Sequence, residues 1–178
     1  MALVIRQLRE TDDRSGFRSG HADLDTFFHR YAGQNQFRHH IGTTCVILDD
    51  DVIVGYATVA SCSIEVRSLP AKAAKKLPSY PLPALRLVRM AVAAGRQRAG
   101  IGAELMRAVF LVALEQRRRT GCAFVVVDAK EAAVGFYARF GFEPMPIIVG
   151  EIEARPLPTP MFLETGALPA SPDPAPGS

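Results

Sequence analysis

The stretch from Arg89 to Gly102, Arg-Met-Ala-Val-Ala-Ala-Gly-Arg-Gln-Arg-Ala-Gly-Ile-Gly, constrains the fold more than any other part of the chain. It closes an apolar run, Ala84 to Ala93, that predicts a strand. It then opens a run from Gly100 to Arg118 in which Ile101, Leu105, Ala108, Val109, Val112 and Ala113 repeat as one buried helical face. Strand, basic glycine-containing loop and helix in that order leave the first N–H groups of the helix without internal partners. Those groups carry partial positive charge and suit a phosphate. Gly100 and Gly102 let the backbone approach a ligand where a Cβ would intrude, and Arg96 and Arg98 supply charge. The loop is neither a P-loop, since no Gly-Lys-Ser/Thr follows, nor a full GxGxxG fingerprint. Taken alone, its glycines fit a tight turn into a core helix equally well.

Charge is concentrated around this loop. The 178-residue chain has a net charge of only +3, but residues 86–119 carry eight arginines against Glu104 and Glu115. Residues 1–85 stand at +1 and residues 120–178 at −4. A basic block of this kind suits a polyanionic ligand, a phosphorylated cofactor or a nucleic acid. Arg117, Arg118 and Arg119 have a second reading, as cations complementing a helix C-terminus.

The hydrophobic fraction of 48% excludes wholesale disorder, and no apolar run reaches the roughly 20 residues of a membrane span. The N-terminus lacks the pattern of a signal peptide, so a soluble, cytoplasmic protein is expected. Cys45, Cys62 and Cys122 lie in apolar surroundings without CxxC spacing and read as free, buried thiols.

Leu3 to Leu8 predicts a strand, and Leu24, Phe27, Phe28 and Tyr31 form one helical stripe with Asp23 and Asp25 in its first turn. The runs Thr43 to Leu48 and Val52 to Ser63, joined by Asp49-Asp50-Asp51, predict an antiparallel hairpin. A short basic helix (Ala71 to Leu77) lies between prolines. After the long helix, Gly121 serves as its stop, Cys122 to Val127 reads as a strand covered on both sides, and Ala132 to Phe140 as a helix. Phe142 to Val149 and Met161 to Leu163 complete the strands. The order β-α-β-β-α-β-α-β-α-β-β predicts an α/β (mixed α+β) fold, one central mixed sheet flanked by about four helices. Residues 1–165 are expected to form the domain, and residues 166–178 a disordered Pro-rich tail.

Gln97-Arg98-Ala99-Gly100-Ile101-Gly102 resembles the Gln/Arg-x-x-Gly-x-Gly/Ala acyl-CoA signature of the GCN-related N-acetyltransferases (GNAT). Phe136-Tyr137-Ala138-Arg139-Phe140-Gly141-Phe142 resembles their FYxxxGF motif. A narrower resemblance, to toxin acetyltransferases of the TacT/AtaT type, is carried by Phe17 to Phe28, Ala32 to Gln36, Val54 to Thr58, Leu77 to Ala84 and Val127 to Lys130. It covers roughly residues 3–165. Two positions depart from the wider pattern. Arg98 stands where many such loops have glycine, and Lys130 stands where asparagine often precedes the FYxxxGF helix.

The resemblance implies a GNAT fold with acetyl-CoA as co-substrate and no metal. The four histidines, His21, His29, His39 and His40, show no metal-ligand spacing of their own. By resemblance, Gln97, Arg98, Ala99, Gly100, Ile101 and Gly102 hold the cofactor, and backbone N–H groups around Met90, Ala91 and Val92 receive the developing oxyanion. Tyr137 is the candidate acid for the departing thiolate, with a phenol pKa near 10 against that of an alkyl thiol. As a residue alone it reads equally as one more aromatic beside Phe136, Phe140 and Phe142. No residue stands out as general base; His39 and His40 have solvated or phosphate-contacting alternatives.

The resemblance further implies a homodimeric toxin that acetylates the α-amino group of aminoacyl-tRNA, blocks translation and is neutralised by a ribbon-helix-helix antitoxin. Arg38, Lys72, Lys75, Lys76, Arg86 and Arg89 offer cations for an acceptor stem. A solvated face remains the alternative for the lysines, and a structural ion pair for Arg89. The competing functions are a metabolic or protein N-terminal acetyltransferase and a non-enzymatic acyl-CoA-binding module.

Overall fold

The computed structural model describes residues 2–146 and 157–169. Its strands are β1 (Leu3–Gln7), β2 (Thr43–Asp49), β3 (Val52–Ile64), β4 (Leu82–Val92), β5 (Phe124–Ala129), β6 (Glu143–Pro144) and β7 (Thr159–Glu164). They form one seven-stranded sheet in the order β1-β2-β3-β4-β5-β7-β6. The α-helices among the described residues are α1 (Ala22–Thr26), α2 (Ala71–Ala74), α3 (Ile101–Arg119) and α4 (Val134–Ala138). This is the mixed α/β class the sequence predicts. None of the described helices is long and apolar enough to cross a membrane.

The chain divides into two compact units, one built from the residues up to Cys62 with Leu85–Val109, the other from Ser63–Ala84 with the residues from Phe110 onward. In the first unit the β2–β3 hairpin closes through Asp50 and Asp51, with φ of 47° and 65°. Two left-handed residues in a two-residue loop match the right-handed twist of the flanking strands, and aspartate tolerates that conformation. β1 lies antiparallel on β2 from Leu3↔Asp49 to Gln7↔Cys45. Its pairing ends at Gln36. Leu8 N–H still donates to Thr44 O (2.8 Å), but the Gln36 side chain donates to Leu8 O (3.0 Å) and accepts from Thr44 N–H (2.8 Å). A carboxamide therefore occupies the place of the next ladder bond.

Gln36 belongs to a helical segment longer than the stripe predicted from Leu24 to Tyr31. α1 runs directly into π-helical stretches at Phe27–Tyr31 and Gln34–Arg38. One face of this segment covers the sheet. Phe28 stacks on Tyr56 (4.3 Å, 7°), Phe17 meets both edge-on, and Tyr56 Oη donates to Leu24 O (2.8 Å). Leu8, Val46, Leu48 and Ala91 complete that core. A Cβ on Gly55 would stand 2.9 Å from Ile47 Cγ2, 3.0 Å from Ile101 Cγ2 and 3.1 Å from Leu105 Cδ1. Glycine at 55 thus lets the first turns of α3 lie tight against β3.

In the second unit β5 pairs antiparallel with β7, Phe124↔Glu164 through Ala129↔Thr159, and β7 with β6. Phe110, Phe136, Tyr137, Phe140 and Phe142 form an aromatic cluster. Gly121 ends α3 as predicted, with φ of 99° and its N–H bonded to Gln116 O (2.9 Å).

Several bounds differ from the sequence reading. The predicted helix Ala132 to Phe140 is a 3-10 turn (Glu131–Ala133) followed by the short α4, and the basic helix reaches only from Ala71 to Ala74. The predicted strand Phe142 to Val149 appears as β6, and its end lies outside the described residues. Cys122 is buried, whereas Cys45 and Cys62 are half-buried rather than fully enclosed. Of the expected tail, Gly166 and Ala167 lie in a 3-10 turn (Thr165–Ala167), and residues 170–178 lie outside the described residues.

Candidate functional site

β4 delivers Met90, Ala91 and Val92 to the basic loop. Beyond the strand, Ala93 N–H donates to Val54 O (2.9 Å), Ala94 N–H to Arg18 O (2.8 Å) and Arg96 N–H to Ala93 O (3.0 Å). The chain then takes left-handed backbone three times in six residues, at Gly95 (φ 82°), Arg98 (φ 67°) and Gly100 (φ 81°). Such alternation is the backbone signature of an anion-binding nest. Glu104 N–H bonds to Gly100 O (3.2 Å) and starts the helix, so the N–H groups of Ile101, Gly102 and Ala103 precede its first internal bond. A Cβ at Gly95 or Gly100 would meet nothing within 4 Å. The loop is thus an open, donor-rich cradle at the N-terminus of a 19-residue helix, and it fits a pyrophosphate.

Side-chain bonds from Arg96, Gln97 and Asp25 hold this cradle in shape. Arg96, expected as a phosphate contact, pairs with Asp49 at 2.6 Å; the Asp49 side chain is only 10% exposed. Gln97, expected as a cofactor ligand, turns its Nε2 inward to Ser19 O (3.1 Å) and Val92 O (3.4 Å). Ser19 is in turn fixed by Asp25, which accepts from its N–H (2.9 Å) and its hydroxyl (2.7 Å). Asp25 therefore clamps the segment before α1 as well as lying in the helix's first turn. Arg98 keeps an exposed side chain on the loop, and its left-handed backbone explains why glycine suits this position.

Arg18 is a neighbour that sequence reasoning missed. Its carbonyl holds Ala94, and its guanidinium donates to Ser15 O (2.7 Å) and Phe17 O (2.8 Å) with His29 Nε2 at 3.2 Å. No spacing rule links Arg18, Ser19 or Asp49 to the loop. Only the folded pairing does.

Arg89, at the loop-ward part of β4, is exposed, with its Cζ 5.3 Å from the centroid of Phe27 and Nη1 donating to Val88 O (2.8 Å). Phe27 also stacks on Tyr56 (6.3 Å, 22°). The guanidinium thus rests on an aromatic ring and forms no ion pair with a carboxylate among the described residues. Arg38 is exposed on the second π-helical stretch, and Arg86 is half-buried on β4. Lys72 on α2, with Lys75 and Lys76 just beyond it, is exposed in the second unit. His39 and His40 are exposed, and no group of metal-ligating side chains occurs among the described residues.

Tyr137 stands on α4 in the second unit. It is 7% exposed, with its ring edge-on to Phe136 (5.2 Å) and Phe142 (5.7 Å). Burial disfavours the charged phenolate and pushes its pKa up to about 12, above the value near 10 assumed from sequence. Its hydroxyl has no hydrogen-bond partner among the described residues.

Residues 40–144 match the family model of the acetyltransferase (GNAT) domain. The chain is 29% identical over 143 residues to a tRNA-acetylating toxin of Mycobacterium tuberculosis (strain ATCC 25618 / H37Rv), covering 79% of this chain and 84% of that protein. It superposes on AtaT complexed with acetyl-methionyl-tRNAfMet with a TM-score of 0.80 at 26% identity, over 93% of this chain and 96% of that one. AtaTR bound with acetyl-CoA gives a TM-score of 0.74 at 26% identity, over 92% and 94% of the two chains. The family model takes in β2 through β6, the basic loop and Tyr137, well over half of the chain, and the protein belongs to the GNAT acetyltransferases.

Proposed function

We propose that this acetyltransferase moves the acetyl group of acetyl-CoA onto the α-amino group of an aminoacyl-tRNA and so blocks translation, as a cytoplasmic toxin. The observation that carries this reading is the likeness, along most of the chain, to a tRNA-acetylating toxin and to AtaT in complex with acetyl-methionyl-tRNA. In this reading residues 1–165 are the catalytic domain, the protein works as a homodimer, and a ribbon-helix-helix antitoxin covers its basic surface.

The reaction forms a C–N bond and breaks a C–S bond, and the amine proton and the sulfur each need an outlet. The nest from Gly95 to Gly102 holds the pyrophosphate, with Ala99, Ile101 and Gly102 giving backbone donors and Arg98 a side-chain cation. Gln97 and Arg96 position that loop. Backbone N–H in the segment Met90 to Val92 receives the carbonyl oxygen as negative charge builds on it. Tyr137, fully protonated at any working pH, donates its hydroxyl hydrogen to the departing sulfur. The dry surroundings that raise the phenol would raise a thiol too, which keeps the two matched. The attacking amine is used in its neutral form; the proton it loses on forming the amide passes to water, and water returns one to Tyr137, so no net proton is released. Arg89, propped on Phe27, faces the tRNA end, and Arg38, Arg86, Lys72, Lys75 and Lys76 serve the phosphate backbone.

The test is transfer of labelled acetyl from acetyl-CoA to a mixed pool of charged tRNA, beside uncharged tRNA, free amino acids and peptides. Label on charged tRNA alone is the expected result. Label on a free amine or a peptide would make this a metabolic or protein N-terminal acetyltransferase instead.

A further inference from the structure

Phe17, Arg18 and Ser19 lie between the basic loop and the helical segment that starts with α1, and they are bonded on both sides. On the loop side, Arg18 O accepts from Ala94 N–H (2.8 Å) and Ser19 O from the Gln97 side chain (3.1 Å). On the helix side, Asp25 Oδ1 accepts from the Ser19 N–H (2.9 Å) and hydroxyl (2.7 Å). His29 Nε2 donates to Phe17 O (2.8 Å), since a carbonyl can only accept. The Ser19 hydroxyl also accepts from His21 N–H (3.1 Å), at a helix start where His21 makes no capping bond of its own. Gly20, with φ of 89°, supplies the turn that brings these groups together. A shift of α1 is therefore passed to the basic loop through short hydrogen bonds.

The same helical segment supports the other half of the reaction. Leu24 O accepts from Tyr56 Oη (2.8 Å), and Phe27 stacks on Tyr56 (6.3 Å) while its ring carries the Arg89 guanidinium (5.3 Å). Phe27 stands two residues from Asp25 on one side and two from His29 on the other. The stretch from Leu24 to His29 thus holds both the strip behind the loop and the ring beneath Arg89. Asp25, half-buried, is where the two are joined.

We infer that Asp25 is a positioning residue for both substrates, setting the basic loop through Ser19 and Gln97 and the Arg89 platform through α1, so that acetyl-CoA and the acceptor tRNA bind with positive coupling. The inference rests on the function proposed above. Its physical basis is ordering. Whichever substrate binds first fixes the strip from Phe17 to Ser19 together with α1, and the second then binds a chain already ordered. Such coupling is reciprocal, so each substrate tightens the other by the same factor.

CoA and amide-linked charged tRNA test this as a pair that cannot react, because neither carries an acetyl group to transfer. Calorimetric titration of the full chain with CoA should show binding about fivefold or more tighter when charged tRNA is saturating, and the reverse titration should give the same factor. Asp25→Ala should weaken CoA alone by about threefold or more and bring the factor to about one. Asp25→Asn keeps an oxygen able to accept both Ser19 bonds and should restore both values. Partial unfolding would change the amount of protein that binds and leave the factor as it was. Gln97→Leu removes the donor at the far end of the same chain of bonds, so the double variant should bind CoA no worse than the worse single one. Should Asp25→Ala fail to fold, Gln97→Leu, on an exposed loop position, decides by its own factor, expected near one. A wild-type factor of one with both ligands bound would overturn the inference and leave the tRNA function standing. A factor unchanged in these variants would overturn the role of Asp25. Charged tRNA that binds neither alone nor with CoA would overturn the function and the inference together.

Discussion

The carboxylate of Asp49 and the guanidinium of Arg96 meet at 2.6 Å across 47 residues of sequence, one at the end of a strand and the other in the basic loop before α3. The pair fixes the loop from outside the cradle. Asp49→Asn is expected to raise KM for acetyl-CoA about 3- to 10-fold with kcat within about twofold, the mark of lost ground-state positioning. Arg96→Ala should match it in steady-state kinetics. If Arg96 itself held a phosphate, Arg96→Ala would be several-fold the worse of the two.

Gly100 has left-handed backbone and empty space where a Cβ would go. Gly100→Ala should cost about 1–2 kcal/mol in urea unfolding from conformational strain alone. It should also weaken acetyl-CoA binding in calorimetry by at least about tenfold if, as proposed, the backbone N–H groups around Gly100 hold the pyrophosphate. Loss of stability with unchanged affinity would move the phosphate elsewhere.

Tyr137 offers two readouts. Tyr137→Phe keeps the edge-on ring contacts and should leave the melting temperature almost unchanged while lowering kcat about 10²- to 10⁴-fold. An acid must be protonated to act, and with its pKa at about 12 it loses its proton only above the working range. The pH–rate profile should therefore rise as the acceptor amine deprotonates and show no falling limb below about pH 10, measured on an amide-linked charged tRNA that resists hydrolysis.

Gly55 probes how closely α3 is seated. Its added methyl would fall among Ile47, Ile101 and Leu105, the last two on α3 itself. Gly55→Ala should destabilise by about 1–3 kcal/mol by overpacking, read from denaturant midpoints. It should also lower acetyl-CoA affinity, since displacement of Ile101 shifts the helix N-terminus.

Asp12 supplies a pH signature of folding. The hydrogen bond from Arg6, with further help from the Arg9 backbone, holds its carboxyl below the usual range against the opposing effect of burial. A folded-state carboxyl that ionises more readily than in the unfolded chain stabilises the fold above the unfolded pKa of about 3.9. That contribution disappears as pH falls through the folded value. Asp12→Asn should be less stable than wild type by about 1–2 kcal/mol at pH 7, with the gap closing below about pH 4. A gap that stays constant in acid would deny the pair its role.

Much of this was legible in the sequence. The period of α3, the hairpin at Asp49 to Asp51, the stop at Gly121 and the two motifs around Gly100 and Tyr137 are local patterns, and local patterns survive folding. The π-helical register from Phe27 to Arg38 was not legible, because a widened turn leaves the same apolar residues in the same order. The partners of Gln97 and Arg96 were hidden for a different reason. Both residue types suit a phosphate, and only the arrival of Ser19 and Asp49 from elsewhere in the chain gives their side chains protein partners. The upward shift of the Tyr137 phenol was not legible either, because it comes from how deeply the ring is enclosed and not from its neighbours in sequence.

The Gln97–Ser19 bond spans 78 residues, and the Arg96–Asp49 pair spans 47. Contacts that close such long stretches carry a large entropic cost before they form, so they come late in folding. The basic loop then waits for the first twenty residues and the β2–β3 hairpin to be in place. A chain trimmed past Ser19 would keep every letter of the acyl-CoA signature and still present a slack loop, without the Ser19 and Arg18 carbonyls that tie it down.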